Sequence, residues 1–173
     1  DRELVEAPTL DSGGARVSSA RTRQLVSAGQ LQPAAELLGR PFALVGSVVH
    51  GEQRGRELGY PTANLDFSQP VALPPDGIYA VRASWGGPAV LDPLEMADAV
   101  VSLGTQPTFG GRIRLMEVHV LDRDDDLYGK RMRVQFCRFI RGQRRYDSAD
   151  ELIVQMGRDV TRAREILDSC QGC

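Results

Sequence analysis

The sequence predicts a mainly β protein: a closed antiparallel barrel of about six strands, Greek-key-like, with a long C-terminal helix packed on it. Three observations carry that expectation. Between Phe42 and Ile140, short runs rich in Val and other apolar residues recur. Clusters of Gly, Pro and Asp separate them at spacings that suit an antiparallel barrel better than an α/β sheet. After Ser148 the apolar residues take up a helical period.

Taken in order, residues 1–14 read as extended, with Pro8, Gly13 and Gly14. Ser18-Ser19 caps a helix running to about Ala28, with Gly29 as its stop. A second short helix spans Leu31–Leu38 and ends at Gly39, before a boundary at Arg40-Pro41. Strand candidates follow at Phe42–His50, Ile78–Trp85, Ala99–Gly104, Ile113–Leu121 and Met132–Ile140. The turn signals between them are Pro74-Pro75-Asp76-Gly77, Gly86-Gly87-Pro88, Gly110-Gly111 and Asp124–Gly129. Ser148 caps the last helix, to about Leu167, whose apolar stripe is Leu152, Ile153, Met156, Val160, Ala163, Ile166 and Leu167. The chain thus divides into 1–40, a barrel domain over 41–168, and a tail over 169–173. With the barrel core beginning near Phe42, removal of residues 1–38 is expected to leave the barrel's activity largely unchanged.

A chain of 173 residues is long enough to bury a proper core. Its 42% hydrophobic and 25% charged content is ordinary for a globular domain. No apolar run approaches a membrane span. No basic-then-apolar leader opens it. Nothing in its three Cys demands an oxidising compartment, so a cytoplasmic protein without a membrane partner is expected. It begins at Asp1 rather than Met, as a piece of a longer protein would. A net charge of −2 and a pI near 5.7 argue against binding nucleic acid through bulk charge. The sole Trp, Trp85, offers no series of stacking aromatics. Lys130 is the only Lys, so the Gly-Lys-Ser/Thr of a Walker-type phosphate loop is absent. Cys137 lies in an apolar strand-like run and reads as a small buried hydrophobe. Cys170 and Cys173 form a CxxC at the chain end and read as a frayed tail.

The chemistry gathers in three places. Gly46, Gly51, Gly55 and Gly59 let the backbone bend tightly and approach a ligand closely. Pro61 fixes the backbone beside them, and Thr62 and Asn64 then offer the oxygens and amide used on magnesium and phosphate. Glu117 interrupts an otherwise apolar strand, Ile113–Leu121, where a carboxylate is out of place unless it faces a ligand cleft; partial desolvation there makes it a better base. His119 shares its face by alternation and reads as structural. The acidic run Asp122–Asp126 fails as a calcium loop, since Leu127 replaces the Gly and Arg133 the Glu that such a loop needs.

The whole run from Gly46 to Asn64 resembles the nucleotide-binding loop of riboflavin kinases in spacing and residue type. That resemblance implies a barrel enzyme using Mg²⁺, with ATP and riboflavin as substrates and FMN and ADP as products. It assigns nucleotide contacts to Gly46, His50, Gly51, Arg54, Gly55, Tyr60, Pro61, Thr62 and Asn64, with Thr62 and Asn64 also holding the metal. It makes Glu117 the catalytic base, a few residues after a Pro107-Thr108-Phe109 loop. It places Gln106, Thr108, Phe109, Arg141 and Tyr146 at the flavin. Gln106 stands where the family usually has Asn, a departure that bears on flavin positioning. Arg144 and Arg145 read as solvated. Asp126–Gly129 looks like the family's strand-connecting turn. Residues Arg16–Arg23 resemble the Ser-Ser-x-x-Arg end of the adenylyltransferase module of bifunctional bacterial FAD synthetases. The implied partner is that module of the same parent chain, and adenylyl transfer by this chain alone is not expected. Two other readings remain: a flavin-binding barrel without catalysis, for storage or sensing, and an oligonucleotide-binding barrel, which the acidic pI opposes.

Overall fold

The computed structural model describes residues 11–12, 15–16, 18–51, 54–86, 96–108 and 111–170. A small antiparallel pair, β1 (Asp11–Ser12) and β2 (Ala15–Arg16), precedes two helices, α1 (Ser19–Ser27) and α2 (Leu31–Leu38). Then come β3 (Ala43–Val49), a single helical turn α3 (Arg54–Glu57), β4 (Ala63–Asp66), β5 (Gly77–Gly86), β6 (Ala97–Thr108), β7 (Gly111–Val120) and β8 (Arg131–Arg141). The chain continues into α4 (Ala149–Ser169). Strands β3 to β8 close into a barrel in the order β3-β4-β7-β6-β5-β8, every pair antiparallel. The meander β5-β6-β7, with β4 returning to its far edge, is the expected Greek-key-like arrangement.

The sixth strand, β4, opens on Ala63 and Asn64, the last two residues of the Gly46–Asn64 motif, and shows no strand period in the sequence. Strand β6 also runs further than its apolar core suggests. Gln106, Pro107 and Thr108 pair with Ile113, Arg112 and Gly111, so the Pro107-Thr108 part of the expected loop is a strand end. Pro107 is tolerated at the end of the ladder.

Alternation sets the core. Leu44, Val48, Ala63, Leu65, Tyr79, Val81, Val101, Leu103, Met116, Val118, Met132 and Val134 all point into the barrel. Tyr79 packs edge-on against Phe136, which in turn meets Phe42. Outside, Ile78, Ala80 and Val100 form a second cluster under Ala163, Ile166 and Leu167 of α4. Both helix caps expected from sequence are made: Ser18 accepts from the Arg21 amide and Ser148 from the Glu151 amide.

The core starts earlier than Phe42. Val26 of α1 and Ala34 of α2 are completely buried and belong to the same cluster as the barrel interior. The corner between these helices turns at Gly29, whose φ of +75° and contact with Pro75 leave no room for a side chain. Tyr79, completing the same end, donates its hydroxyl to the Pro75 carbonyl at 2.6 Å.

Candidate active site

One row of the sheet organises the site. Val49 pairs with Asn64, Asn64 with Glu117, and Glu117 with Ser102, across β3, β4, β7 and β6. Residues directly opposite in an antiparallel ladder share a face. Their neighbours Val48, Leu65, Met116 and Val101 face the interior, so this row faces outward. The apolar alternation of β7 is therefore one-sided: Met116, Val118 and Val120 fill the core, while Glu117 and His119 lie on the outer wall, half-buried. Asn64 and Glu117 stand one strand spacing apart, about 5 Å.

The glycine loop closes on the β4 end of that row. A Cβ on Gly51 would overlap the side-chain amide of Asn64, so only glycine lets the loop lie over it. A Cβ on Gly55 would collide with the Tyr60 carbonyl and come within 3.1 Å of Thr62 Oγ1. The loop holds its own shape through the Gly55 carbonyl, which accepts from the amides of Leu58 and Tyr60 at 3.2 and 2.8 Å. Gly59 turns with φ of +83°. Tyr60 then packs edge-on against His119, with ring centroids 5.4 Å apart, and its hydroxyl lies beside Gly157 of α4. His119 Nδ1 donates to the Pro61 carbonyl at 2.8 Å. That carbonyl only accepts, so the proton sits on Nδ1. His119 thus fixes the segment leading into Thr62, which agrees with its structural reading.

Two cavities flank β4 and β7. The first, about 390 Å³, is lined by Thr62, Pro61, Val48, Val118 and the 123–128 loop. His50 stacks on Tyr128 of that loop at 3.8 Å. The second, about 530 Å³, contains Glu117 and Ser102 with Gly104, Asp76, Gln143 and the pair Arg144 and Arg145. Asp76 accepts from Thr105 and pairs with Arg114, which fixes one wall. Thr62 thus looks onto one cavity and Glu117 onto the other. Asn64 connects them, two residues from Thr62 and directly opposite Glu117.

Several residues expected at the site lie elsewhere. Gly46 sits three residues up β3, where a Cβ would press within 2.8 Å of the Asp66 carbonyl; it serves barrel packing there. Arg141 is not directed at either cavity. Its guanidinium makes a bidentate pair with the buried Asp159 of α4, and Gln155 also donates to that carboxylate. The hydrogen bonds that Arg141 donates to Asp159 hold its pKa above the usual value. Tyr146 lies half-buried beneath Arg141, 6.0 Å from ring centroid to guanidinium carbon, with its hydroxyl shielded from solvent. Arg54 opens α3. Gln106 and Thr108 fall at the end of β6, and Phe109 lies outside the described residues, as do Gly87, Pro88, Gly110 and Cys173.

The structure also brings in residues that sequence pattern passed over. The Asp124–Tyr128 loop, read as a simple connection, walls the Thr62 cavity. Arg144 and Arg145, read as solvated, are exposed but border the Glu117 cavity, and Gln143 and Ser102 join them. Only the loop had a visible signal, its turn-forming Asp126 and Gly129; the others become neighbours through the barrel's closure. Among the described residues no cluster of three or more His, Cys, Asp or Glu forms a metal cage.

Polar groups on the outer wall of a closed barrel, beneath a glycine loop, suit a transferase. The family model described as Flavokinase, riboflavin kinase, matches residues 38–167. This chain therefore belongs to the riboflavin kinase family, transferases that phosphorylate riboflavin. It is 40% identical over 163 residues to the bifunctional riboflavin kinase/FMN adenylyltransferase of Escherichia coli K12, covering 94% of this chain and 50% of that protein. The chain spans about half the length of the curated relatives it matches. Among solved structures it is similar to one described as a macrolide-efflux protein from Streptococcus pneumoniae, with TM-score 0.77 and 34% identity over 91% of this chain and 50% of that one. It also resembles riboflavin kinase from Trypanosoma brucei, with TM-score 0.53 and 25% identity over 76% of this chain and 83% of that one.

Proposed function

We propose that this chain carries the riboflavin kinase activity of a longer protein, transferring the γ-phosphoryl group of ATP to the 5′-hydroxyl of riboflavin. The observation that carries the reading is the shared row of Asn64 and Glu117 on the outer wall, under a loop that closes only because residues 51 and 55 are glycine. Glu117 accepts the hydroxyl proton as the ribityl oxygen forms its bond to phosphorus and the bond to the ADP oxygen breaks. Thr62 and Asn64, with backbone amides of the glycine loop, orient the phosphates, and alignment supplies much of such catalysis.

The donor set fits Mg²⁺. Thr62 and Asn64 give neutral hard oxygens and no carboxylate cage, as suits an ion that keeps substrate phosphates and water as its other ligands. When bound, the ion neutralises charge building on the phosphates. The Thr62 cavity takes the nucleotide and the Glu117 cavity the flavin side. In the parent protein an adenylyltransferase module accompanies this one, as the names of the relatives suggest. A cytoplasmic setting is part of this proposal, and among the described residues no helix is long and apolar enough to cross a membrane.

Incubation with riboflavin and ATP, with and without Mg²⁺, followed by separation of flavins, tests the proposal. FMN should form only in the complete mixture. Tight flavin binding without any FMN would favour the non-catalytic barrel.

A further inference from the structure

The Glu117 cavity contains a chain of contacts that crosses Gly104. Gly104 has no side chain, and a Cβ there would come within 3.0 Å of Gln143 Nε2. The bare strand lets Gln143, from the loop between β8 and α4, lie flat on β6. Its amide nitrogen donates to Ser102 Oγ at 3.0 Å and to the Leu103 carbonyl at 2.7 Å. An amide nitrogen has two hydrogens, so both are spent. Ser102 Oγ is the acceptor in that bond, which leaves its own proton to give. Directly across the ladder from Ser102 stands Glu117. Opposed side chains lie about 5 Å apart at Cβ, within reach of a hydroxyl and a carboxylate.

We propose that Ser102, oriented by Gln143 across Gly104, is a positioning residue for the Glu117 carboxylate and donates a hydrogen bond to it. The inference rests on Glu117 being the base. A carboxylate oxygen that accepts from a donor already oriented keeps a narrower aim at the substrate hydroxyl. Gln143 also anchors the loop carrying Arg144 and Arg145, so one arm sets the base and frames the flavin-side wall. Among the described residues, the charged or titratable groups around Glu117 include Asp76, held by Arg114, the guanidinium groups of Arg144 and Arg145, and His119, held by the Pro61 carbonyl.

The test is the pH dependence of kcat in four variants, with KM for each substrate and a melting curve for each protein. A hydrogen bond to an ionised carboxylate favours the ionised form, so its loss makes the base protonate at higher pH. In Ser102→Ala the acidic limb should move up by about half to one pH unit. The pH-independent kcat should fall by roughly tenfold, with KM for Mg-ATP within about twofold. Ser102→Thr keeps the hydroxyl and should restore the parent limb. Gln143→Ala should move the limb in the same direction by less, and should also raise KM for riboflavin. The inference is overturned if the limb stays in place in both Ser102→Ala and Gln143→Ala while Glu117→Gln still collapses turnover. It is equally overturned if activity falls only in proportion to a lowered melting temperature. If Glu117→Gln turns over like the parent, the base assignment itself fails and takes this inference with it.

Discussion

Two parts of the barrel's outer surface carry opposite chemistry. Over β5, β6 and β8 the outward side chains Ile78, Ala80 and Val100 are apolar and lie under Ala163, Ile166 and Leu167 of α4. Over β4 and β7 the outward positions hold Asn64, Glu117 and His119, and among the described residues α4 packs on β5, β6 and β8 instead. A barrel strand needs one apolar face to fill the core. A second apolar face marks where another layer must lie, and a polar second face marks wall left for chemistry. Strand β6 crosses between the two regimes, with Val100 under the helix and Ser102 in the site. Altering the bare wall should therefore change turnover with little change in stability, and altering the covered wall should do the reverse.

The largest expected effect is on the bare wall. Glu117→Gln should lower kcat by about 10²–10⁴-fold, the usual contribution of a general base, with a melting temperature close to the parent's. Parent-like turnover would remove Glu117 from the mechanism, and a large loss of stability would mean that the outer row also holds the barrel together.

On the covered wall, Asp159→Ala strands the Arg141 guanidinium, whose side chain is only 14% exposed. Breaking a buried pair from one side costs about 3–5 kcal/mol, read by chemical denaturation. Turnover per folded molecule should change far less than in Glu117→Gln. If instead stability holds and KM for riboflavin rises, Arg141 serves the flavin after all.

Deleting residues 1–38 asks whether the helical plug behaves like the covered wall. Val26 and Ala34 leave the core, together with the half-buried Leu25 and Leu31 packed on it. A loss of about 2–4 kcal/mol follows from the apolar area exposed. The folded fraction should still make FMN, since neither helix reaches the Glu117 row. An unchanged melting temperature would show that the helices contribute nothing to the barrel.

The smallest effect concerns Tyr79, at the plugged end. Burial pushes its pKa up to about 12 from an ordinary 10, outweighing the opposing charge of Arg114. The folded state thus keeps a proton that the unfolded chain gives up above pH 10. Stability should be insensitive to this group below pH 10 and should fall as pH rises from 10 to about 12. Tyr79→Phe should flatten that slope, at the cost of the hydrogen bond to Pro75. A slope unchanged in Tyr79→Phe would assign it to another group.

Much of this was legible in residues near one another in the chain. Alternation in Phe42–His50 and Met132–Ile140 marked strands, Ser18 and Ser148 marked helix starts, and Gly51, Gly55 and Gly59 marked a tightly bent loop, because pattern, caps and turns are local. The resemblance to riboflavin kinases rested on that same run. What escaped depends on pairing. Strand β4 has four residues, too few for a period to show. Arg141 looked available until α4 brought Asp159 to it from eighteen residues away. Ser102 and Gln143, forty-one residues apart, carry no signal in the sequence, since each is an ordinary polar residue until the β8–α4 loop folds over Gly104. The sequence by itself determined the class of fold, the helix limits and the place of the glycine loop. Only the tertiary structure decided that Glu117 faces outward, which partner each polar side chain meets, and that α1 and α2 complete the core. Local geometry is written in neighbouring residues, whereas register and closure depend on which apolar faces meet once the barrel shuts.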